Sequence, residues 1–271
     1  MGAENFEIAY SENMFVVDDA AAALRDYASQ GFDLVIAHGS QYGSSLVEIA
    51  PDFPETSFAW GTTVDTFVDQ GITNVFAYEA RSEQGGYVNG VLAAMLTKSK
   101  TIGVTGPVEV GDAKTYIDGF VQGVASVDPA ITVSKTWTGS FSDVALMTEA
   151  AKTHIAAGAD ILTGSSQSVV GSIGAAKENG AVLWFGTQQD QASLAPDLVV
   201  ASQVYDWTGM VREIIAQNKA GVLGGKTYIL KLENDGLKIA YNPAYTLDEA
   251  IKAAGDKAIA DIISGAVKVV P

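Results

Sequence analysis

The chain has 271 residues, of which 48% are hydrophobic and 18% charged, and it contains no cysteine. A chain of this size can bury a large core, so its stability requires neither a disulfide nor a structural metal. The formal net charge of −16 repels phosphate backbones and anionic lipids, so we expect no nucleic-acid partner. No apolar run reaches the roughly 18 residues of a membrane span. The first residues show no export-signal pattern, so we expect a cytoplasmic protein or an exported one whose signal lies outside this sequence.

Short apolar runs alternate with helical patterns along almost the whole chain, which predicts βαβ units and parallel sheets. The predicted strands are residues 6–10, 33–37, 57–60, 74–78, 101–105, 131–137, 160–163, 181–185, 198–204, 226–232, 237–241 and 267–270. The predicted helices are residues 17–29, 43–50, 82–96, 113–126, 142–157, 168–179, 206–219 and 247–263. Asn234-Asp235-Gly236 predicts a β-hairpin between the strands that flank it.

Residues 98–100, Lys-Ser-Lys, separate two α/β halves of similar design. We predict a first lobe of residues 1–100 with about 206–225 and part of the C-terminus, and a second lobe of 101–205 with part of 226–271. Two-lobed α/β proteins usually place a strand and a helix before a point such as residue 6, so we expect a first strand–helix unit to be absent. The neighbouring strand would then be an exposed edge, which makes a homodimer by edge pairing or exchange a reasonable hypothesis.

Sequence motifs for catalysis are not found. The chain has no G-x-S-x-G elbow, no Walker A loop and no G-x-G-x-x-G segment after a strand. The two histidines are not spaced with carboxylates as metal ligands are. We expect His154 to lie on the exposed face of its helix, whereas His38, at a strand end, is as readily a ligand contact as a structural residue. The sequence therefore favours a protein that is not an enzyme and that carries no metal or other cofactor.

The segment 180–190 is the strongest single indication of a binding site. Its apolar run predicts a buried strand, and a polar loop with Gln188 and Asp190 follows directly. Open α/β sheets bind their ligands at the carboxyl ends of such strands. The aromatic residues Trp184 and Phe185 precede these polar groups, and aromatic rings beside amides and a carboxylate suit a flat small molecule rich in heteroatoms.

Polar or aromatic side chains recur at the carboxyl ends of the other predicted strands. In parallel sheets these ends face one crevice between the lobes, so their convergence favours a ligand site even though each alone is more often structural. The candidate ligand-binding residues are His38, Ser40, Trp60, Glu83, Trp137, Phe141, Ser165, Gln188, Asp190 and Gln203.

Seven segments form an ordered pattern that covers essentially the whole chain. They are EARSEQGGYVNGVLA at 79–93, IGVTG at 102–106, GFVQG at 119–123, WTGSFSD at 137–143, GADI at 158–161, GAAKENG at 174–180 and ISGAVKVVP at 263–271. In this order they resemble the basic membrane protein family of ABC-transporter substrate-binding proteins, which includes purine nucleoside receptors of the PnrA type.

The resemblance implies the type I periplasmic-binding-protein fold, with two Rossmann-like lobes of parallel sheets that close on a purine nucleoside or base. It also implies an ABC-transporter permease as partner and a periplasmic or extracytoplasmic location, with membrane association in the parent protein. By the same resemblance, Asp190 is the acidic residue after the strand and Trp137 or Phe141 stacks on the base. Gln188 and Gln203 stand where nucleoside binders commonly have Asp and Lys, which makes a free base such as adenine a plausible ligand.

Three other classes of function stay open on the sequence. A nucleoside hydrolase or phosphorylase on a related fold would need a metal or phosphate site. A regulatory module related to transcription-factor effector domains would need a DNA-binding segment. A truncated form without the first strand–helix unit could have lost ligand binding and self-associate instead.

Overall fold

The computed structural model describes residues 6–271, which form an α/β structure with two β-sheets. Over these residues the α-helices are α1 (Val17–Ser29), α2 (Gly43–Ile49), α3 (Ser82–Leu96), α4 (Gly111–Val127), α5 (Val144–Ala156), α6 (Val170–Asn179), α7 (Thr208–Lys219) and α8 (Glu249–Ile263). The strands are β1 (Leu34–His38), β2 (Ser57–Gly61), β3 (Val75–Ala80), β4 (Thr101–Gly106), β5 (Thr132–Trp137), β6 (Ile161–Gly164), β7 (Leu183–Gly186), β8 (Val199–Tyr205), β9 (Thr227–Leu230) and β10 (Leu237–Tyr241).

The strands are arranged in one sheet for each lobe. The first sheet has the order β1-β2-β3-β9, and all of its strand pairs are parallel. The second sheet has the order β10-β8-β7-β6-β4-β5 and is parallel except for the antiparallel pair of β10 with β8. The predicted alternation of strands and helices is therefore confirmed.

The chain passes between the two sheets after β3, after β8 and after β9. The first of these crossings is made by α3, which packs in the core of the second sheet through residues such as Val88 and Leu92. The crossing thus begins at Ala80, whereas the predicted lobe boundary was residue 100. Helix α7 returns the chain to the first sheet, where Met210 and Ile214 pack on Phe76 and Tyr78.

Both faces of the first sheet are covered by helices. Val35, Ala37 and Phe58 face the side on which α1 and α2 pack, and Ala59 and Phe76 face α7. Parallel strands buried on both faces are apolar almost throughout, which is why the sequence of each strand lacks a clean alternation.

Helices α3 and α4 approach each other closely enough for backbone contact, and glycines make this possible. A Cβ atom on Gly90 would lie 2.1 Å from the Phe120 carbonyl oxygen, and one on Gly119 would lie 2.1 Å from the Glu83 carbonyl oxygen. Gly86 and Gly123 meet the facing backbone in the same way. These glycines therefore serve close packing, as the small residues of the helix predict.

Residues 6–10 do not form the predicted strand, and that prediction is wrong. The strand β1 pairs with β2 alone among the described strands, so no ladder reaches residues 6–10. Within this segment Ile8 and Tyr10 are 79% and 77% exposed. An apolar alternation without a neighbouring strand cannot satisfy its backbone groups in a sheet.

Two further predictions near the C-terminus are wrong. The strands around Asn234-Asp235-Gly236 do not form a hairpin, because β9 pairs with β3 in one sheet and β10 with β8 in the other. The Leu232 amide in the connection donates to Gln84 Oε1 of α3, which fixes the chain at this crossing. Residues 267–270 form no strand. The Val267 amide donates to the Asp261 carbonyl oxygen at the end of α8, and the Gln122 side chain binds the Val270 amide and carbonyl.

His154 is buried, contrary to the expectation of a surface position. Its side chain is 5% exposed, and its Nε2 lies 3.2 Å from the Val104 carbonyl oxygen of β4. A Cβ on Gly103 would meet the His154 side chain at 2.5 Å, so the missing side chain in β4 makes room for the ring. Burial lowers the pKa of His154.

No helix formed by residues 6–271 has the length and apolar character needed to cross a membrane.

Candidate ligand-binding cleft

A cavity of about 1230 Å³ extends from the outer edge of β1 into the space between the lobes. On the first-lobe side it is lined by residues that follow β1 and β2, including Ser40 and Thr62. On the second-lobe side it is lined by residues that follow β4, β5, β6 and β7, among them Asp112, Phe141 and Gln188. The cavity thus collects carboxyl strand ends from both sheets, which is the position where open α/β sheets bind ligands.

Half of the predicted ligand-binding residues lie in the wall of this cavity: His38, Ser40, Phe141, Ser165 and Gln188. The second-lobe members are held by local hydrogen bonds. The Gln188 Nε2 group donates to Ser165 Oγ at 3.3 Å, and the neighbouring Ser166 Oγ donates to the Phe141 carbonyl oxygen at 2.7 Å. An aromatic ring, a hydroxyl and an amide are therefore presented together on one wall.

Three aromatic side chains surround the end of β1. His38 Nδ1 lies 3.0 Å from the Tyr78 hydroxyl, and the two rings are stacked with centroids 5.7 Å apart. The Trp207 ring meets both of them edge-on. Desolvation lowers the pKa of His38, while part of the residue stays exposed at the cavity.

The other five predicted site residues, Trp60, Glu83, Trp137, Asp190 and Gln203, lie outside the cavity lining. Trp60 stacks on Phe67 in the first-lobe core and donates from Nε1 to the Gly39 carbonyl oxygen at 2.9 Å. The Trp137 ring covers Gly106 beside the second-lobe core. Both aromatic residues therefore support the walls from behind.

The polar members of this second group are also bound within the protein. Glu83 is 3% exposed and lies 3.7 Å from Arg81. Asp190 is exposed, and its carboxylate accepts a hydrogen bond from the Ala192 amide. Gln203 is fully buried and donates to the Tyr205 hydroxyl at 3.0 Å. Their assignment as ligand contacts stays a prediction.

Two residues of the cavity wall, Thr62 and Asp112, were not among the predicted site residues. Thr62 follows β2 directly and has a φ of 65°, a conformation that β-branched residues rarely adopt. Asp112 lies in the first turn of α4, after the loop that follows β4. Both therefore follow the carboxyl end of a strand, and a search of the loops as well as the strand ends would have found them.

Asp112 lies in a strongly acidic region. Burial and the nearby carboxylates of Glu79 and Glu83 raise the pKa of Asp112 to about 7. Arg81 is the cation nearest to these carboxylates and already lies 4.0 Å from Glu79 and 3.7 Å from Glu83. Within residues 6–271, Asp112 itself makes no ion pair within 4.0 Å.

Across the described chain, residues 6–271, no three His, Asp or Glu side chains lie together as metal ligands would. The lining of the cavity combines hydrogen-bonding groups with several aromatic rings, a combination typical of sites for organic molecules. The Phe141 ring lies on the second-lobe wall, and the rings on the first-lobe side include those of Tyr27 and Tyr42.

Comparison with known proteins identifies the family. A family model described as "ABC transporter substrate-binding protein PnrA-like" matches residues 2–269. This chain belongs to the PnrA-like family. The match covers nearly the entire sequence and agrees with the ordered segments that resemble the family.

Two relatives in the PnrA-like family illustrate the range of similarity. A "Purine-binding protein" from Brucella abortus is 31% identical over 204 residues, which cover 75% of this chain and 56% of the relative. An "ABC transporter nucleoside-binding protein" from Lactococcus lactis is 27% identical over 259 residues, covering 89% of this chain and 72% of the relative. The chain thus matches little more than half the length of the Brucella protein.

Solved structures confirm the fold. A crystal structure of an ABC transporter solute-binding protein from Aeropyrum pernix superimposes with a TM-score of 0.79 at 19% identity. The superposition covers 94% of this chain and 82% of that chain. The PnrA-like chain therefore has the type I periplasmic-binding-protein fold with two lobes, as the resemblance implies.

Proposed function

We propose that the chain is the solute-binding receptor of an ABC importer and binds a purine base or nucleoside between its lobes. The observation that carries the proposal is that the cavity reaches strand ends of both sheets, with Phe141, Ser165 and Gln188 on one wall. A purine ring can stack on Phe141 while the hydroxyl and the amide bind its edge. The names of the Brucella and Lactococcus relatives, a purine-binding and a nucleoside-binding protein, support this ligand class.

The proposed mechanism is lobe closure without chemical change in the ligand. Contacts from both walls favour the closed state, because the ligand binds that state more tightly than the open one. The connecting segments would flex, and they include the crossing where the Tyr205 hydroxyl lies 2.7 Å from Ser82 Oγ. In this mechanism the protein is a receptor and not an enzyme.

The ten predicted site residues take two kinds of role in this proposal. His38, Ser40, Phe141, Ser165 and Gln188 contact the ligand directly. Trp60, Glu83, Trp137 and Gln203 support the walls from behind. The exposed Asp190 joins the ligand contacts only if its loop moves inward on closure.

The proposed partner is the membrane permease of the importer, and the proposed location is extracytoplasmic, with membrane association in the parent protein. A matching "Basic membrane protein D" from Borreliella burgdorferi, 31% identical over 173 residues, supports the association with a membrane.

Titration calorimetry with adenine, adenosine and inosine tests the proposed function. We expect saturable binding of at least one of them at one molecule per chain. Chromatography of the same mixtures after prolonged incubation should recover the ligand unchanged. Conversion of adenosine or inosine would instead support a nucleoside-processing enzyme, and failure of all three to bind would contradict the proposal.

A second candidate property, self-association, is favoured by the edge strand. β1 pairs only with β2 among the described strands, and Ile36 within it is 46% exposed. Exposed strand edges pair readily with other chains, so we propose that two copies associate through this edge. Light scattering that gives the monomer mass over a wide range of concentration would contradict the dimer.

A further inference from the structure

The loop that follows β7, residues 187–190 and here called the cleft loop, carries Gln188 into the wall of the cavity. Groups from other elements hold the backbone at its start. The Gly186 carbonyl oxygen, at the end of β7, accepts a hydrogen bond from Asn89 Nδ2 of α3 at 3.1 Å. The Gln188 carbonyl oxygen accepts one from the Tyr205 amide of β8 at 3.2 Å. The cleft loop is therefore fixed to the second lobe from two sides.

Gln191 directly follows the cleft loop, is 3% exposed and lies outside the cavity lining. Its Nε2 group donates to the Thr187 carbonyl oxygen at 2.9 Å, and its Oε1 atom accepts from Trp184 Nε1 at 2.7 Å. Its backbone amide donates to Ser202 Oγ at 3.1 Å. One buried residue thus ties the cleft loop to β7 and to the neighbouring strand β8.

The glycine at the end of β7 makes room for this arrangement. A Cβ atom on Gly186 would lie 2.7 Å from Gln191 Oε1 and 2.6 Å from Ser202 Oγ. Cβ atoms do not approach other atoms this closely, so any larger residue would displace the Gln191 side chain or the Ser202 hydroxyl. The end of the strand is therefore matched to the position of Gln191.

The backbone that these contacts hold includes an unfavourable conformation at Gln188. Its φ of 72° lies in the left-handed region, which costs energy for a residue other than glycine. In this conformation Gln188 Nε2 reaches Ser165 Oγ in the cavity wall. Such a conformation persists only where the surrounding structure holds it, and the contacts of Gln191 contribute to that restraint.

We infer that Gln191 is a positioning residue, which keeps the cleft loop in the conformation that presents Gln188 to the ligand. This inference rests on the proposed function, and it adds a residue outside the cavity on which affinity depends. A loop that is already ordered loses less conformational freedom on binding, so a fixed loop raises affinity. Without the Gln191 contacts the loop would populate other conformations, and only a fraction of the molecules would be competent to bind.

The test compares the whole chain in four forms: wild type, Gln191→Met, Ser202→Ala and the control Asn74→Leu. Methionine is similar to glutamine in length but has no amide to form these hydrogen bonds. Asn74 is also a buried amide, and its Nδ2 group donates to three backbone carbonyl oxygens, but it lies in the first lobe outside the cavity lining.

Three measurements are made on each form. Hydrogen–deuterium exchange followed by mass spectrometry reports how often the cleft loop opens without ligand. Calorimetry with adenosine reports binding. Urea denaturation gives the free energy of unfolding of the whole chain, which separates local loosening from global destabilisation.

Gln191→Met should speed exchange in peptides that cover residues 186–192 by about 10- to 100-fold, because two hydrogen bonds are lost and the Trp184 donor stays buried without its acceptor. Ser202→Ala removes one contact and should speed it by about 2- to 10-fold. Gln191→Met should weaken adenosine binding by about 3- to 30-fold. Asn74→Leu should lower the global stability and leave the exchange of this segment and the adenosine affinity within about twofold of wild type, because distant sites act independently.

Adenosine gives a readout that a purely structural role would not produce. Adenosine at a concentration of 100 times its Kd should slow exchange of residues 186–192 in Gln191→Met by up to about 100-fold, because the ligand binds only molecules whose cleft loop is in place. Exchange that is as fast with bound adenosine as without it would overturn the inference.

Unchanged exchange of residues 186–192 in Gln191→Met, or an equal increase in Asn74→Leu, would also overturn the inference. Faster exchange with unchanged adenosine affinity would overturn it too, since the loop would then not matter for binding. If wild type does not bind adenosine, the proposed purine ligand fails. The exchange measurements then decide: an increase in Gln191→Met alone supports positioning for a ligand of another class, and no increase overturns it. If Gln191→Met does not fold, Ser202→Ala decides by the same measurements.

Discussion

The close approach of α3 and α4 gives the sharpest stability prediction. Replacing Gly90 by alanine adds a Cβ atom that would lie 2.1 Å from the Phe120 carbonyl oxygen and 2.9 Å from the Val124 amide nitrogen. Both neighbours are backbone atoms of α4, so no rotamer change can relieve the contact. Ordinary contacts begin at 3.4 Å, and the two helices must therefore separate locally by roughly 1.3 Å.

Such a separation affects a fully buried interface. Val88 and Leu92 of α3 and Phe120 of α4 are all completely buried at this crossing. A gap of this size loses a large part of the dispersion energy between facing atoms, and overpacked cores typically lose about 1–3 kcal/mol. The higher helix propensity of alanine offsets about 1 kcal/mol of this destabilisation. Because the backbone has to move where four glycines pack against the facing helix, we expect an overpacking cost near the upper value of about 3 kcal/mol. The net destabilisation is then about 2 kcal/mol.

Urea denaturation and thermal melting followed by circular dichroism measure this effect, with a predicted fall in Tm of about 4–8 °C. Gly174→Ala is the matched control, because this glycine is also helical and has no other atom within 4 Å of an added Cβ. The control should gain up to about 1 kcal/mol. If Gly90→Ala is as stable as Gly174→Ala, the close helix packing is not as described.

Three further predictions concern the buried histidine, the cleft and the edge strand. Burial lowers the pKa of His154 below 6.5, so the unfolded chain binds more protons than the folded one at lower pH. Wild type should therefore lose stability as the pH falls below 6.5. Urea titrations over this range should show a smaller loss of stability for His154→Gln. Gln188→Ala should weaken adenosine binding by about 0.5–1.5 kcal/mol in calorimetry, because Gln188 lines the cavity. Asp190→Ala should weaken binding less, because the Asp190 carboxylate accepts a hydrogen bond from the Ala192 amide outside the cavity. A larger effect of Asp190→Ala than of Gln188→Ala would place Asp190 in the site. Ile36→Lys at the outer edge of β1 should shift any dimer seen by light scattering to monomer, and an unchanged dimer would place the interface elsewhere.

The elements inside the second lobe could be predicted because their local patterns agree with their tertiary environment. Strand β4 and helix α3 are found where the apolar runs and the boundary residues predict them. Residues 6–10 have the same kind of alternation but pair with no strand, and local sequence does not contain that information. The connection at Asn234 likewise carries a strong local turn signal, yet the two strands pair with partners that are distant in sequence.

The sequence predicted the cavity wall to the level of strand ends and not of individual side chains. Ser40, Ser165 and Gln188, which follow strands, line the cavity, and their contact with a ligand stays a prediction. Trp60 also lies at a strand end, but its side chain turns into the core, where it stacks on Phe67. Which side of the sheet a terminal residue faces depends on register and on the helix packed beside it, and sequence alone does not fix either one.

Crystals grown with millimolar adenosine would show whether the ligand lies in the space between the lobes. We expect one adenosine per chain, with its base against Phe141 and its polar edge within hydrogen-bond distance of Ser165 or Gln188. Adenosine bound elsewhere at full occupancy, or a cleft without ligand density under these conditions, would show that the space between the lobes is not the binding site.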